Sequence, residues 1–143
     1  MIRIGIDPGV RTGFAIEQDG KLVQLKTLSF WPAYHLAVQL FRENGQLAAV
    51  VEVPKTKANW HEKSAAHNVG RVCREAELMA DGLELAGIQV MRVHPCGWFN
   101  KKLKMTEEAF FRMITGWGGK SNEHSRDAAM LLFMRKDSQQ KSI

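Results

Sequence analysis

Residues 2 to 28 read Ile2-Arg3-Ile4-Gly5-Ile6-Asp7-Pro8-Gly9-Val10-Arg11-Thr12-Gly13-Phe14-Ala15-Ile16-Glu17-Gln18-Asp19-Gly20-Lys21-Leu22-Val23-Gln24-Leu25-Lys26-Thr27-Leu28. Ile2 to Ile6 alternates apolar residues with others, and Gly13 to Glu17 continues as a second run. Asp19-Gly20 is a strong hairpin turn before Leu22 to Leu28. Three antiparallel strands in sequence follow. Beyond them, Trp31-Pro32 opens a helix in which Leu36, Ala37, Leu40 and Phe41 repeat at helical spacing until Asn44-Gly45 closes it. Leu47 to Val53 is a near-continuous apolar run, the mark of a strand covered on both faces.

Pro54 to Lys63 is polar and basic without periodicity, and reads as a loop or arm. A long helix is expected from Ser64 to Ala86, with Val69, Val72, Ala76, Met79 and Leu83 in one stripe and Gly87 as its stop. Ile88 to Val93 returns to strand. Thr106 is a good N-cap with Glu107 and Glu108 in the first turn of a helix ending near Gly116. A last helix is expected from His124 to Met134, followed by a polar tail over 136–143 that frays. The sum is one α/β domain over 1–135: a mixed five-stranded sheet, three strands antiparallel and then two parallel, with helices on both faces. Sheets of this kind bind ligands where central strands end, which singles out the ends of the first and fourth strands.

The 143 residues suffice for one domain with a real core, and no apolar run approaches the roughly 18 to 20 residues of a bilayer span. Two cysteines, Cys73 and Cys96, make no disulfide framework and match no zinc-ligand spacing. With no basic-then-apolar leader at the start, a reducing cytoplasm is the expected setting. Twenty Lys plus Arg against 15 Asp plus Glu give a formal charge of +5, which favours an anionic partner, nucleic acid before membrane. That charge is concentrated: residues 53–75 and 92–112 each carry five basic and two acidic groups.

Four residues stand out as candidates for chemistry. Asp7 ends an apolar strand, which is costly for a carboxylate unless it is paired or metal-bound; an Asp-Pro-Gly turn explains it equally well. Glu52 interrupts the most apolar strand, although alternation can direct it to a solvated face. If the first and fourth strands are neighbours, Asp7 and Glu52 stand side by side, and two such carboxylates repel unless a hard cation such as Mg²⁺ or Mn²⁺ lies between them. His124 and Asp127 share one face of the last helix, with Ala128 and Ala129 small enough to let that helix approach the sheet closely. Taken singly, a surface histidine and a first-turn dipole partner account for the last pair.

In this order the motifs resemble the RuvC family of Holliday-junction resolvases, within the RNase H-like (retroviral integrase) superfamily. Ile4-Gly5-Ile6-Asp7-Pro8-Gly9 with Thr12-Gly13, Val50-Val51-Glu52, and His124 with Asp127-Ala128-Ala129 carry the resemblance, and Asn68-Val69-Gly70-Arg71 looks like the family's Gly-x-x-Arg-Gly-type segment. The resemblance implies an RNase H-like fold and two divalent ions, Mg²⁺ or Mn²⁺, held by Asp7, Glu52, His124 and Asp127. It further implies in-line hydrolysis leaving 5′-phosphate and 3′-hydroxyl ends, and a homodimer that nicks a four-way junction symmetrically. Histidine in the fourth ligand position removes one anion and favours Mn²⁺.

Two features depart from the pattern. The family's aromatic wedge, three residues past the strand glutamate, is Lys55 here, and the chain has the length of small phage-type relatives. Trp60 either stacks on a base in place of the wedge or anchors the arm to protein. Lys104, and next Lys102, match the family's catalytically supporting lysine. Lys55, Lys57, Lys63, Arg71, Arg74, Lys101, Lys102 and Lys104 are the candidates for DNA contact, against the ordinary fate of solvated lysine and arginine. Other readings of the chain are a noncatalytic junction-binding module, a fragment of a sugar-kinase or actin-like ATPase, and a nuclease acting on forks, flaps or RNA hybrids.

Overall fold

A computed structural model describes the backbone of residues 1–54, 63–94 and 107–141, with side chains for all of these except 63–69, 107 and 134–141. The strands are β1 (Ile2–Asp7), β2 (Thr12–Gln18), β3 (Lys21–Leu28), β4 (Leu47–Glu52) and β5 (Gln89–Val93). The helices of the described residues are α1 (Phe30–Asn44), α2 (Lys63–Leu85), α3 (Glu107–Thr115) and α4 (Glu123–Lys141). The sheet order is β3-β2-β1-β4-β5. β1 to β3 pair antiparallel, while β4 joins β1, and β5 joins β4, in parallel.

The expected hairpin is present for the expected reason. Asp19 at φ 53° and Gly20 at φ 84° take the two left-handed positions of the turn between β2 and β3, where Asp tolerates and Gly favours that conformation. α1 likewise stops at Gly45, left-handed at φ 72°, whose N–H bonds to the Phe41 carbonyl at 2.8 Å.

Alternation along the strands divides the apolar residues between two layers. Ile4, Ile6, Phe14, Ile16, Ala49 and Val51 face α1 and α2, and meet Ala33, Ala37, Ala76, Met79 and Leu83. Ala15, Val50 and Val93 point the other way, into Phe111 of α3 and Ala128, Ala129 and Leu132 of α4. Met79 and Met130 are core filler, and Cys73 is a buried free thiol. One end of an element differs from expectation. The backbone of α4 continues to Lys141, because 135–141 holds no Gly or Pro to stop it and its polar residues are compatible with a solvated helix. No helix among the described residues is long and apolar enough to cross a membrane.

Candidate active site

The parallel register of β1 and β4 runs to the pair Ile6 and Val51, so the next residues, Asp7 and Glu52, leave the sheet side by side at the same end. The two carboxyls lie within hydrogen-bonding reach of each other. Burial is the largest cause holding Asp7 in its protonated form, and the adjacent Glu52 carboxylate adds to it; together they push Asp7 up to about 8 against a weaker opposing pull from His124. Glu52 is also raised, first by burial and then by the charge of Asp127, while the hydrogen bond it accepts from Asp7 works in the opposite direction. Both carboxyls are therefore held towards the protonated form, and the pair shares a proton.

The other two candidates arrive on α4. That helix starts where Asn122 caps it: the Ser125 N–H donates to Asn122 Oδ1 at 2.9 Å, and the Asn122 N–H donates back to Ser125 Oγ at 3.0 Å. The Asn122 amide also donates to Thr27 Oγ1 at 2.7 Å, tying the helix start to β3. Close contact with the sheet is possible because two strand positions lack a side chain. A Cβ on Gly13 would collide with the His124 carbonyl oxygen, and one on Gly5 with the Ala128 carbonyl oxygen. The Ala128 methyl would lie 3.2 Å from the same Gly13 Cβ. Gly5, Gly13 and Ala128 thus set the depth at which α4 sits, and with it the approach of His124 to Asp7 and of Asp127 to Glu52. We expect Gly13→Ala to cost about 2 to 3 kcal/mol, read from urea unfolding, because a packed backbone and not a flexible side chain must move. A cost below about 0.5 kcal/mol would remove that role from Gly13.

Among the solved structures that the chain resembles are two of Thermus thermophilus RuvC. One, in complex with a Holliday junction substrate, is 16% identical with a TM-score of 0.61 over 96% of both chains. The other is 17% identical with a TM-score of 0.60, over 96% of this chain and 97% of that one. The chain has the fold of these RuvC structures. No protein-family model matches it, and no curated protein sequence does.

Within this RuvC-like frame, the four residues singled out from the sequence come to one end of the sheet. They do not form a closed ligand cage. Among the described residues no three His, Cys, Asp or Glu side chains converge on a point where one ion would be held. The Asp7–Glu52 pair is closed on itself by its shared proton, and the half-exposed His124 ring lies 3.7 Å from Glu123. The donor set nevertheless suits a hard divalent cation, which in place of the proton would offset the burial and the neighbouring charge that raise both carboxyls.

α2 reaches the same end through Cys73, whose thiol donates to the Pro54 carbonyl at 3.3 Å, two residues beyond Glu52. Arg71 and Arg74 flank that contact and are exposed, with Arg71 lying 4.0 Å from Glu75. Lys63 begins α2, and its side chain is not described; Lys55, Lys57, Trp60, Lys101, Lys102, Lys104 and Cys96 lie outside the described residues. His94, just past β5 and before Pro95, is the strand-end residue its position suggests, and it closes this end of the sheet with a 3.0 Å hydrogen bond between Nδ1 and the Val53 carbonyl.

Proposed function

We propose that the chain is a divalent-metal-dependent, structure-selective DNA endonuclease that resolves Holliday junctions as a homodimer, in DNA recombination and repair. The observation that carries this reading is the Asp7–Glu52 carboxyl pair at neighbouring strand ends, facing the start of α4 with His124 and Asp127, in a RuvC-like fold. One of the solved neighbours is held in complex with a Holliday junction substrate.

In this reading Asp7, Glu52, Asp127 and His124 hold Mg²⁺ or Mn²⁺, two ions per site. When bound, the metal supplies Lewis-acid stabilisation of charge at the scissile phosphate and lowers the pKa of water. The chain's own part is to orient and to neutralise. Three carboxylates and one neutral imidazole fix where the cations sit, and histidine in place of a fourth carboxylate shifts the preference towards Mn²⁺. Lys104, with Lys102 beside it, steadies negative charge in the transition state. Lys55, Lys57, Lys63, Arg71, Arg74 and Lys101 neutralise backbone phosphates, and Trp60 stacks on an unpaired base. A homodimer brings two such sites to strands of like polarity, and the enzyme works in the cytoplasm.

A substrate panel decides it: four-way junction, fork, flap, linear duplex and RNA–DNA hybrid, each with Mg²⁺ and with Mn²⁺. Paired symmetric nicks confined to the four-way junction, with 5′-phosphate ends, are expected. Equal cutting of forks and flaps would demote the protein to a general branched-DNA nuclease, a reading favoured by Lys55 where the family has an aromatic wedge. Binding of the junction without cleavage in either metal would make it a noncatalytic junction-binding module.

A further inference from the structure

Arg71 and Arg74, on α2, lie on the β4 side of Asp7. The structure carries a second set on the β2 and β3 side, which the segment charges did not mark. The turn from β1 to β2 is pinned at both ends: Pro8 and Thr12 are buried, and the Thr12 hydroxyl reaches the Gly9 carbonyl at 3.5 Å. Its tip, Val10 and Arg11, is exposed, Val10 to 87%. No hydrogen bond or ion pair joins the Arg11 side chain to another described residue, only four positions along the chain from Asp7.

Further across the sheet, Asp7 pairs with Gly13 and Gly13 with Thr27, so Thr27 lies two strand spacings, roughly 10 Å, from Asp7. There a shallow pocket of about 250 Å³ opens between the end of β3 and the loop before α4. Lys26, Thr27, Lys120, Ser121 and Asn122 line it, and no acidic side chain does. The loop is built, not slack. The Trp117 indole N–H donates to the Lys120 carbonyl at 3.0 Å, and Arg126 donates to Ser121 Oγ at 3.0 Å. Lys120 is exposed, and its ammonium has no partner among the described residues.

An anionic chain lying over Asp7 and running towards β3 therefore meets a guanidinium, then a pocket with hydroxyls and an ammonium, all held on fixed backbone. We propose that the DNA strand continues from the cut site over the β1–β2 turn to the β3 edge, with Arg11 and Lys120 each holding one backbone phosphate. Lying roughly 10 Å from Asp7, the pocket serves a phosphate within a few nucleotides of the scissile one. This deepens the nuclease reading, on which it rests for the position of the cut.

The test is junction binding in chelator across a salt series, so that affinity is read without cleavage. Arg11→Gln and Lys120→Gln should each reduce the slope of log affinity against log salt by about 0.9 per subunit, about 1.8 for a junction-bound homodimer, and the double variant by about twice that. Arg11→Lys should restore the slope, and Lys21→Gln, at the opposite end of β3, should leave it at the wild-type value. These side chains are exposed, so the variants should keep the wild-type melting temperature. Single neutral methylphosphonates a few nucleotides to one side of the cut should weaken the wild type and not the double variant. An unchanged slope in the double variant overturns the proposal, as does a wild type that binds no DNA. Nicking with an unchanged slope leaves the nuclease reading standing without this track. A reduced slope in a protein that nicks with neither metal keeps the track and removes the nuclease.

Discussion

Asp7→Asn is expected to reduce nicking of a four-way junction by at least about 10³-fold, some 4 kcal/mol of transition-state stabilisation, while junction affinity measured in chelator changes no more than a few-fold. Asparagine keeps the size of the side chain and its place at the end of β1, but it removes the anion and one oxygen donor. Glu52→Gln should do the same from the neighbouring strand. The two carboxyls already act as a unit through their hydrogen bond, so the double variant should be little worse than either single one. Multiplicative losses would mean that they work independently. An Asp7→Asn protein retaining more than about a tenth of wild-type nicking would remove Asp7 from the chemistry and leave it as a turn residue.

The sequence made Asp7 and Glu52 conspicuous because a carboxyl in an apolar strand has to be explained, and it placed the first hairpin because Asp19-Gly20 has few other uses between two alternating runs. What it left conditional was adjacency. The pairing of β1 with β4 joins segments some 45 residues apart, and no local pattern encodes a non-local register. The same limit hid the purpose of Gly5 and Gly13. They read as part of a motif, but their lack of a side chain matters only once Ala128 and the His124 carbonyl are packed against them. Arg11 and Lys120 were invisible for a related reason: they belong to no basic run, and only the fold brings them to the same end of the sheet as Asp7. The end of α4 is expected near Met134 because the residues beyond it are polar, but the helical backbone continues to Lys141 because no Gly or Pro interrupts it.

The raised Asp7 carboxyl makes stability depend on pH in the direction opposite to an ordinary salt-bridged aspartate. Folded Asp7 keeps its proton up to about 8, whereas in the unfolded chain it loses it near 3.8. Between those values the folded state binds more protons than the unfolded state, so stability is fully present at the acid end and falls as the pH rises. With a slope approaching ~1.4 kcal/mol per pH unit, the melting temperature in chelator should drop on the order of 10 °C between about pH 5 and about pH 8. Asp7→Asn removes the titrating group and should flatten that slope, leaving the variant more stable than wild type at the alkaline end. A divalent cation competes with the proton for the same carboxyls, so added Mg²⁺ or Mn²⁺ should raise the wild-type melting temperature more at pH 8 than at pH 5.5, and should do little for Asp7→Asn. Scanning calorimetry of both proteins, with metal and with chelator, checks all of these at once. A wild-type melting temperature that rises with pH over this window, or an equal fall in the variant, would show that Asp7 does not carry the proton. A metal-induced gain that survives Asp7→Asn would place the cation elsewhere on the chain.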